Sequence, residues 1–447
     1  MGVPTSSPHV LIIVQNLPVP LDRRVWLECN ALRDAGYEVS VICPKGPGDP
    51  AYQVIDGVHV YKYRPAPPTA GVVSYLVEFV YSWLRTAWLS LRVSRRRRFQ
   101  IMQACNPPDT YWALALLWRV RGVRFVFDQH DLNPEVFLSR FGRPTGLAGR
   151  VQLAGLRWLE RRTYRAAAHV ISTNESYRKI ALTRGSVPVS HTTVVRSGPD
   201  TTRMRPVDGN AALRKGRKHL LAYLGIMGPQ DGVDVVLRAA HILVRELGHD
   251  IQVALLGFGD SYDDLVTLAT SLGLDDHVTF TGRADLRMIA EYLSAADIGL
   301  SPDPRNPLND VSTMNKTMEY MAFALPVVAF DLTETIVSGG DAAAYVSADE
   351  PLDDAVRRFA IAVGELLDDP ARRAEMALAG RRRAEQVLDW QPQRRAYVSV
   401  FDRLTGRTSS LPAPAELPAG GTDEWGNALV DVTDDATVRS FATDRAR

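Results

Sequence analysis

The amino-acid sequence predicts an α/β protein made of two doubly wound, Rossmann-like domains that face each other across a cleft. Short apolar runs alternate with stretches of helical periodicity, which is the pattern of a parallel sheet with helices on its faces. This pattern stops near residue 197 and restarts after a linker that contains Pro and Gly. A chain of 447 residues is also too long for one ordinary core. Folds of this class bind ligands beyond the carboxyl ends of their strands, so we expect the site in the cleft.

The first domain is predicted over residues 8–197. The run VLIIV at 10–14 is apolar throughout, as a strand buried on both faces requires. A helix is expected over 24–34, because Gly36 provides a stop at its C-terminus. Further strands are expected at 39–43, 58–63, 125–127, 169–172 and 193–195.

The second domain is predicted over residues 198–388. Glycines cluster after its first apolar run, which indicates a tight turn leading into a helix over 234–246. The chain changes character from residue 409, where Pro, Gly and acidic residues replace periodic apolar ones, so 409–447 is predicted to be a disordered tail. The strands of this domain are expected at 220–224, 253–256, 278–280, 298–300 and 327–330.

Residues 71–98 form an amphipathic segment with two possible roles. Apolar and aromatic side chains crowd it, isolated charges interrupt it, and four consecutive arginines end it at 95–98. The charges make a bilayer span unfavourable. Trp and Tyr beside a basic cluster suit a helix that lies in an anionic membrane interface. A helix packed on the first sheet explains the same pattern, and both interpretations stay open.

The composition indicates which binding partners and which cellular compartment to expect. Lys and Arg total 52 against 51 Asp and Glu, so the charge balance does not predict a nucleic-acid partner. Cys29, Cys43 and Cys105 lie at neither metal-ligand nor redox spacing, which indicates packing residues in a reducing compartment. The first residues lack the pattern of a signal peptide. We therefore expect a cytoplasmic protein, with peripheral contact to the inner face of a membrane if segment 71–98 lies in the interface.

The stretch 301–335 carries the clearest chemical signal. A polar loop follows a strand end and leads into a helix predicted over 312–323, with Ser312 or Thr313 as its cap. The N-terminus of such a helix offers backbone N–H groups and a positive dipole end. It is therefore a candidate site for a diphosphate.

Three polar residues of this helix share one face, because Asn315, Lys316 and Glu319 are three or four positions apart. Lys316 can pair with a phosphate, and the carboxylate of Glu319 can accept the hydroxyl groups of a ribose. The alternative is that Lys316 and Glu319 form an ordinary surface ion pair.

His130 and Asp131 follow an apolar strand, at the end where open α/β sheets place ligands. Asp128 and Glu135 lie close by in the sequence, and we interpret His130 and Asp131 as candidate catalytic residues. The alternative is a histidine with a purely structural role. The sequence shows no zinc-ligand spacing, no GxSxG elbow, no GxGxxG fingerprint and no P-loop, so no metal and no nicotinamide cofactor is expected.

Four segments resemble, in order, motifs of the family 4 glycosyltransferases with the GT-B fold, and the resemblance covers residues 9–405. It implies a retaining transferase that uses a nucleoside diphosphate sugar and needs no metal. It also implies a last helix, at 389–405, that packs back on the first domain. The segments are FDQHDLNPE at 127–135, LGIMGPQDGVD at 224–234, FTGR at 280–283 followed by AADI at 295–298, and EYMAFALPVVA at 319–329.

The resemblance also assigns roles by motif position. Glu319 would bind the ribose, and the amides of 314–316 would hold the diphosphate. Gly228, in the loop that resembles the opening loop of the second domain, and Arg283, in the loop on the side of the base, are further candidate donor-binding residues. His130 would sit at the reacting sugar.

The sequence departs from the family at three positions. The family commonly has two glutamates in the donor segment, and Val311 occupies the place of the first. Ile226 and Asp231 stand where an Arg and a Lys usually contact the diphosphate. Lys316 or Arg283 is a candidate replacement cation.

We therefore predict transfer of a sugar to a glycan or lipid-linked acceptor in cell-envelope polysaccharide or glycolipid synthesis. The alternatives are a nucleotide-sugar epimerase on the same fold and an inactive relative that only binds sugar nucleotides. The donor sugar, its base and the acceptor are not determined by the sequence.

Overall fold

The computed structural model describes residues 7–66, 72–413 and 419–445, and the described residues divide into two compact units. The first unit contains the residues up to Ser197 together with 391–413. The second contains Gly198–Trp390 together with 419–445. Each unit has its own sheet with helices packed on it, so the predicted fold class of two α/β domains is confirmed.

The first unit has an eight-stranded sheet in the order β3-β4-β2-β1-β5-β6-β7-β8, and the second has a six-stranded sheet in the order β11-β10-β9-β12-β13-β14. All neighbours are parallel except β3 and β4. The strands are β1 His9–Ile13, β2 Glu38–Pro44, β3 Tyr52–Ile55, β4 Val58–Tyr63, β5 Ile101–Cys105, β6 Arg124–Gln129, β7 His169–Ser172, β8 Thr192–Val194, β9 His219–Leu224, β10 Ile251–Leu256, β11 Val278–Gly282, β12 Ile298–Ser301, β13 Val327–Phe330 and β14 Ala343–Val346.

The helices cover the faces of these sheets. They are α1 Arg23–Asp34, α2 Val72–Arg96, α3 Trp112–Arg119, α4 Asn133–Phe141, α5 Leu147–Ala166, α6 Glu175–Thr183, α7 Val233–Arg245, α8 Tyr262–Ser271, α9 Leu286–Ala295, α10 Asn315–Ala322, α11 Thr333–Gly339, α12 Leu352–Asp368, α13 Pro370–Arg383, α14 Trp390–Thr405 and α15 Asp435–Thr443. Within the first unit α14 contacts the sheet, since the Tyr397 hydroxyl donates to Oε1 of Gln103 at 2.6 Å.

Helix α2 occupies most of the amphipathic segment 71–98, of which residue 71 lies outside the described residues. Its inner face packs in the core of the first unit, where Leu89 and Val93 join Trp118. Its outer face exposes an apolar stripe at helical spacing. The structure therefore shows that one face of α2 packs on the first unit, and that the opposite face presents apolar side chains to solvent. The stripe consists of Val77, Val80, Leu84, Trp88 and Leu91.

None of the described helices is long and apolar enough to cross a membrane.

The predicted disordered tail at 409–447 is wrong over residues 419–445. This segment folds onto the second unit and contains α15, whose Val438 and Ala442 are buried against Leu378 of α13. Arg445 is buried as well. The prediction relied on the Pro- and Gly-rich composition of the segment. It overlooked a few apolar residues, which are enough to pack one short helix against the second unit.

Candidate donor and transfer site

In the first unit, His130 lies just beyond the carboxyl end of β6. Its Nε2 atom lies 2.7 Å from Oδ2 of Asp128 and 3.1 Å from Nε of Arg24. Burial alone would raise the pKa of Asp128, but the charges of Arg24 and His130 hold that pKa well below its ordinary value. Asp128 is therefore an ionised carboxylate that fixes the imidazole in place.

Arg24 connects this pair to the last residues of the unit. Its guanidinium donates to Oδ1 of Asp128 at 2.9 Å, to the main-chain oxygen of Val195 at 2.9 Å and to Oγ of Ser197 at 3.0 Å. Arg24 lies in the first turn of α1, which the side chain of Asp22 caps by accepting from the N–H of Val25.

Four side chains with metal-ligand chemistry meet here. The ligand atoms of Glu28, Cys105, Asp128 and His130 lie within 4.8 Å of one another. The Glu28 carboxyl has a strongly raised pKa, because it is buried and faces the charge of Asp128. Arg24 already pairs with Asp128, and the raised pKa of Glu28 disfavours the ionised form that a metal ligand needs. The cluster is an ion-pair network, and we assign no metal to it.

Asn106 holds the His130–Asp131 loop against the end of β5. Its Oδ1 atom accepts the N–H groups of His130 at 2.7 Å and Asp131 at 3.1 Å, and its Nδ2 atom donates to the main-chain oxygen of Asp131 at 2.7 Å. Burial raises the pKa of the partly buried Asp131. The neighbouring Asp109 is buried, which raises its pKa to about 7 even though Asn133 and Asn106 donate to it.

In the second unit, three loops meet at the carboxyl ends of β9, β10 and β11. The N–H of Gly225 donates to Leu256, and the N–H of Gly257 donates to Gly282. A Cβ on Gly257 would lie 1.8 Å from the main-chain oxygen of Gly225, so only glycine permits this approach. The glycines after the strands therefore bring bare backbone together at the predicted ligand edge.

Gly228 lies in the loop after β9, but its N–H is already engaged. It donates to Oδ2 of Asp231 at 2.8 Å. The acidic side chain of Asp231, at a position where the family usually has a lysine, thus accepts the main-chain N–H of a predicted donor-binding residue. A diphosphate would have to displace the Asp231 carboxylate to use this N–H.

Helix α10 begins later than predicted. Its cap is Met314, which makes no side-chain capping bond, so the predicted cap at Ser312 or Thr313 is wrong. The residues 309–311 form a 3-10 turn, and the Ser312 hydroxyl donates back to the main-chain oxygen of Leu308 at 2.8 Å. Asn315 is the exposed first residue of the helix. The helix N-terminus itself is therefore accessible.

Lys316 and Glu319 are both buried on α10, so the alternative of a surface ion pair between them is wrong. The ammonium of Lys316 pairs instead with Oδ1 of Asp303 at 2.5 Å and lies 5.2 Å from the centroid of the Tyr223 ring. Gly225 passes over the side chain of Lys316, because a Cβ there would lie 3.2 Å from its Cε.

Arg283 follows β11 and is exposed. Its guanidinium carbon lies 4.2 Å from the centroid of the Phe258 ring, in the loop after β10. Asp310, which adjoins the unusual Val311, accepts from the N–H and hydroxyl of Thr333 at 3.1 and 3.0 Å. The carboxylate of Asp310 is therefore bound to the first residue of α11.

Several residues of both sites escaped the sequence analysis. Arg24 and Glu28 are four positions apart on α1, a spacing that indicates an ion pair on one helix face. Their common partner Asp128 lies about a hundred residues further along the chain, so the sequence could not reveal the cluster. The strand β5 was missed because Gln103 interrupts its apolar run, and the polar residues that follow the strand were therefore missed as well. Those that matter most to the two sites are Arg24, Glu28, Gln103, Asn106, Asp109 and Asp303.

Two protein-family models match the chain, one in each unit. The model described as "Glycosyl transferase 4-like domain" matches residues 21–198, and the model described as "Glycosyl transferases group 1" matches residues 218–369. The sucrose-phosphate synthase of Thermosynechococcus elongatus has a similar fold, with a TM-score of 0.70 at 18% identity over 89% of this chain and 99% of that one.

Characterised relatives align with about half of the chain. The GDP-mannose-dependent alpha-(1-6)-phosphatidylinositol monomannoside mannosyltransferase of Mycolicibacterium smegmatis is 30% identical over 48% of this chain and 56% of its own length. The D-inositol 3-phosphate glycosyltransferase of Thermomonospora curvata is 28% identical over 55% of this chain and 58% of its own length. The chain thus spans little more than half the length of these relatives. With one family model matching each unit, the chain belongs to the family 4 glycosyltransferases of GT-B fold.

Proposed function

We propose that the protein is a retaining glycosyltransferase that moves a sugar from a nucleoside diphosphate sugar to a glycan or lipid-linked acceptor in cell-envelope synthesis. The observation that carries this proposal is the arrangement at the N-terminus of α10. There, Lys316 lies buried beneath Gly225 at the ligand edge of a parallel sheet, and Glu319 is buried on the same helix.

The donor would bind to the second unit. The accessible N-terminus of α10 and the ammonium of Lys316 would stabilise the diphosphate as it leaves, when negative charge builds on it. Glu319 would accept the hydroxyl groups of the ribose. Arg283, stacked on Phe258, is the further cation at the edge of this site.

The first unit would supply the groups at the reacting sugar. Among the described residues, Nδ1 of His130 has no hydrogen-bond partner, while Nε2 is fixed by Asp128 and Arg24. An imidazole held by one nitrogen in this way presents its other nitrogen to a sugar hydroxyl or phosphate oxygen. Asp131 lies next to it with a raised pKa. Transfer would take place on the face that the diphosphate leaves, which retains the configuration at the anomeric carbon.

The outer face of α2 supports contact with a membrane. Its apolar stripe lies among arginines, and the guanidinium carbons of Arg85 and Arg92 lie 5.3 and 5.9 Å from the centroid of the Trp88 ring. An apolar stripe flanked by basic residues suits an anionic bilayer interface. A lipid-linked acceptor would then be within reach, and the matched mannosyltransferase is likewise named for a phosphatidylinositol-based acceptor.

The test is a product-release assay with UDP-, GDP- and ADP-sugars in the presence and absence of lipid-linked saccharides. A transferase releases free nucleoside diphosphate only when an acceptor is added, and the product keeps the anomeric configuration of the donor. Conversion of the donor to an epimer without an acceptor would favour an epimerase.

A second candidate is a sugar-nucleotide-binding relative without transfer activity. The carboxylate of Asp231 on the N–H of Gly228 favours it, because this acidic group would repel a diphosphate. Donor binding without turnover for any acceptor would support this candidate. If Asp231→Ala strengthens donor binding, the carboxylate competes with the diphosphate.

A further inference from the structure

A cavity of about 340 Å³ lies in the first unit, away from the residues discussed so far. It opens at the amino ends of β5 and β6, because Phe99 precedes the first of these strands and Val123 precedes the second. His130 and Asn106 follow the carboxyl ends of the same strands. The cavity is therefore at the opposite edge of the sheet from the proposed transfer site, and it lies at the C-terminal end of α2. It is lined by Ser94, Arg98, Phe99, Trp118, Arg121 and Val123.

The cavity has aromatic walls and two guanidinium groups. Phe99 and Trp118 meet edge to face with centroids 4.8 Å apart, and both are buried. The guanidinium carbon of Arg121 lies 5.3 Å from the centroid of the Trp118 ring, and Nη2 of Arg98 donates to the main-chain oxygen of Arg121. Both arginines line the cavity, and both are exposed to solvent.

The positive charge of this cavity is not neutralised by the protein. Among the described residues, the neighbouring Arg97 pairs with Glu38, but neither Arg98 nor Arg121 forms an ion pair with a carboxylate. Two guanidinium groups that converge on one cavity repel each other unless an anion lies between them. Arginine is also the side chain best matched to the oxygens of a phosphate.

Apolar side chains close in sequence to the lining residues are exposed. Leu117 of α3 is 60% exposed, Val120 just after α3 is 89% exposed, and Leu91 of α2 is exposed as well. Several exposed apolar side chains near one site are typical of surfaces that contact a partner or a membrane. They fit an anionic group that is presented together with hydrocarbon.

We propose that the cavity binds a phosphate-bearing anion, with the phosphate between Arg98 and Arg121 and the adjoining atoms against Phe99 and Trp118. The volume is within the range of small-ligand pockets, roughly 300–1,000 Å³. The phosphate comes either from a lipid headgroup or from a soluble phosphate compound. Only the lipid source rests on the proposed membrane contact, and neither source depends on sugar transfer.

The experiment uses the full chain and two probes. Inorganic phosphate is titrated while tryptophan fluorescence is followed, with Trp118→Phe identifying the signal of the cavity wall. Vesicles of phosphatidylcholine, with and without phosphatidylglycerol, are tested by co-sedimentation. The variants are Arg98→Gln and Arg121→Gln, and Arg95→Gln is the matched control because it removes the same charge from an exposed residue that does not line the cavity. Thermal unfolding midpoints check that each variant is folded.

We expect Arg98→Gln and Arg121→Gln to weaken binding of at least one probe by about tenfold, and Arg95→Gln to leave it nearly unchanged. If the vesicles containing phosphatidylglycerol show this pattern, the phosphate belongs to a lipid headgroup; if only inorganic phosphate shows it, the ligand is soluble. Equal losses in all three variants, or no binding of either probe by the wild type, would overturn the proposal. Absence of sugar transfer with this pattern intact would count against the proposed function alone.

Discussion

Nε2 of His130 lies 2.7 Å from Oδ2 of Asp128, a carboxylate that the protein buries completely. Arg24 contacts both groups, and Glu28 and Gln103 surround the carboxylate. Burial and the charge of Asp128 raise the pKa of Glu28, while the pKa of Asp128 is lowered, so Asp128 is the more acidic carboxyl group of the pair. Glu28 and Asp128 therefore contribute differently to the stability of the cluster, and substitution of each residue in turn can distinguish their contributions.

Asp128→Asn is expected to lower the free energy of unfolding by about 3–5 kcal/mol, because it leaves Arg24 buried without its ionised partner. Glu28→Gln is the matched control. It removes the less acidic carboxyl group of the pair and keeps the shape of the side chain, so a change below about 1 kcal/mol is expected. Chemical denaturation of the two variants measures the difference. Equal destabilisation by both would show that the charge is shared between the two carboxyl groups.

The burial of Asp109 predicts a dependence of stability on pH. Its pKa of about 7 in the folded protein is above the ordinary value of 3.8, so the folded state binds the proton more tightly than the unfolded state. This contribution to stability is complete below pH 4 and is lost as the pH rises through 7. It amounts to roughly 4 kcal/mol.

Asp109→Asn cannot ionise and serves as the reference for this effect. We expect the free energy of unfolding of the wild type, measured relative to this variant, to fall between about pH 4 and pH 7 and then to level off. Urea denaturation at several pH values gives the difference directly. A difference that does not vary with pH would show that the pKa of Asp109 is not raised.

The pair of Lys316 and Asp303 predicts that stability and donor binding can be separated. Lys316→Met leaves the Asp303 carboxylate buried without its cation, and we expect a loss of about 3–5 kcal/mol. The double variant Lys316→Met with Asp303→Asn removes both charges and is expected to recover much of that loss. If Lys316 also contacts the diphosphate, the donor KM stays raised in the double variant. Recovery of donor affinity together with stability would assign Lys316 a structural role alone.

Arg445 predicts that the C-terminal segment stabilises the second unit. Its Nη1 atom donates to the main-chain oxygens of Leu293 and Ala296 at 3.0 and 2.9 Å, and its Nη2 atom donates to that of Phe323 at 3.2 Å. These carbonyls lie at the ends of α9 and α10, where helices leave acceptors unpaired. Arg445→Met should therefore lower the free energy of unfolding by about 3 kcal/mol.

Arg439→Ala, in the same segment, is the control for Arg445. Its partner Glu375 is exposed, and such surface pairs contribute at most about 1 kcal/mol. Thermal unfolding in the absence of ligand compares the two variants. Equal midpoints would show that the buried arginine does not hold the ends of these helices.

The sequence predicted, among others, the strands whose burial is complete along an apolar run, such as β1 and β9. The strand β5 was missed because Gln103 is buried through contacts with residues distant in the sequence, among them Tyr397. The order of motifs fixed where His130 and Glu319 would lie. It did not reveal that Asp231 binds the N–H of Gly228 or that Asp303 pairs with Lys316, because each of these contacts depends on the path of a loop.

The most direct test of the central claim is isothermal titration of the wild type and of Glu319→Gln with UDP-, GDP- and ADP-sugars. Glu319→Gln keeps the shape of the buried side chain and removes its charge, so a variant with an unchanged unfolding midpoint reports on ligand contacts. We predict that one class of nucleotide sugar binds the wild type and that its affinity falls at least tenfold in the variant. If no nucleotide sugar binds the wild type, the second unit holds no donor site and the proposed transferase activity is contradicted.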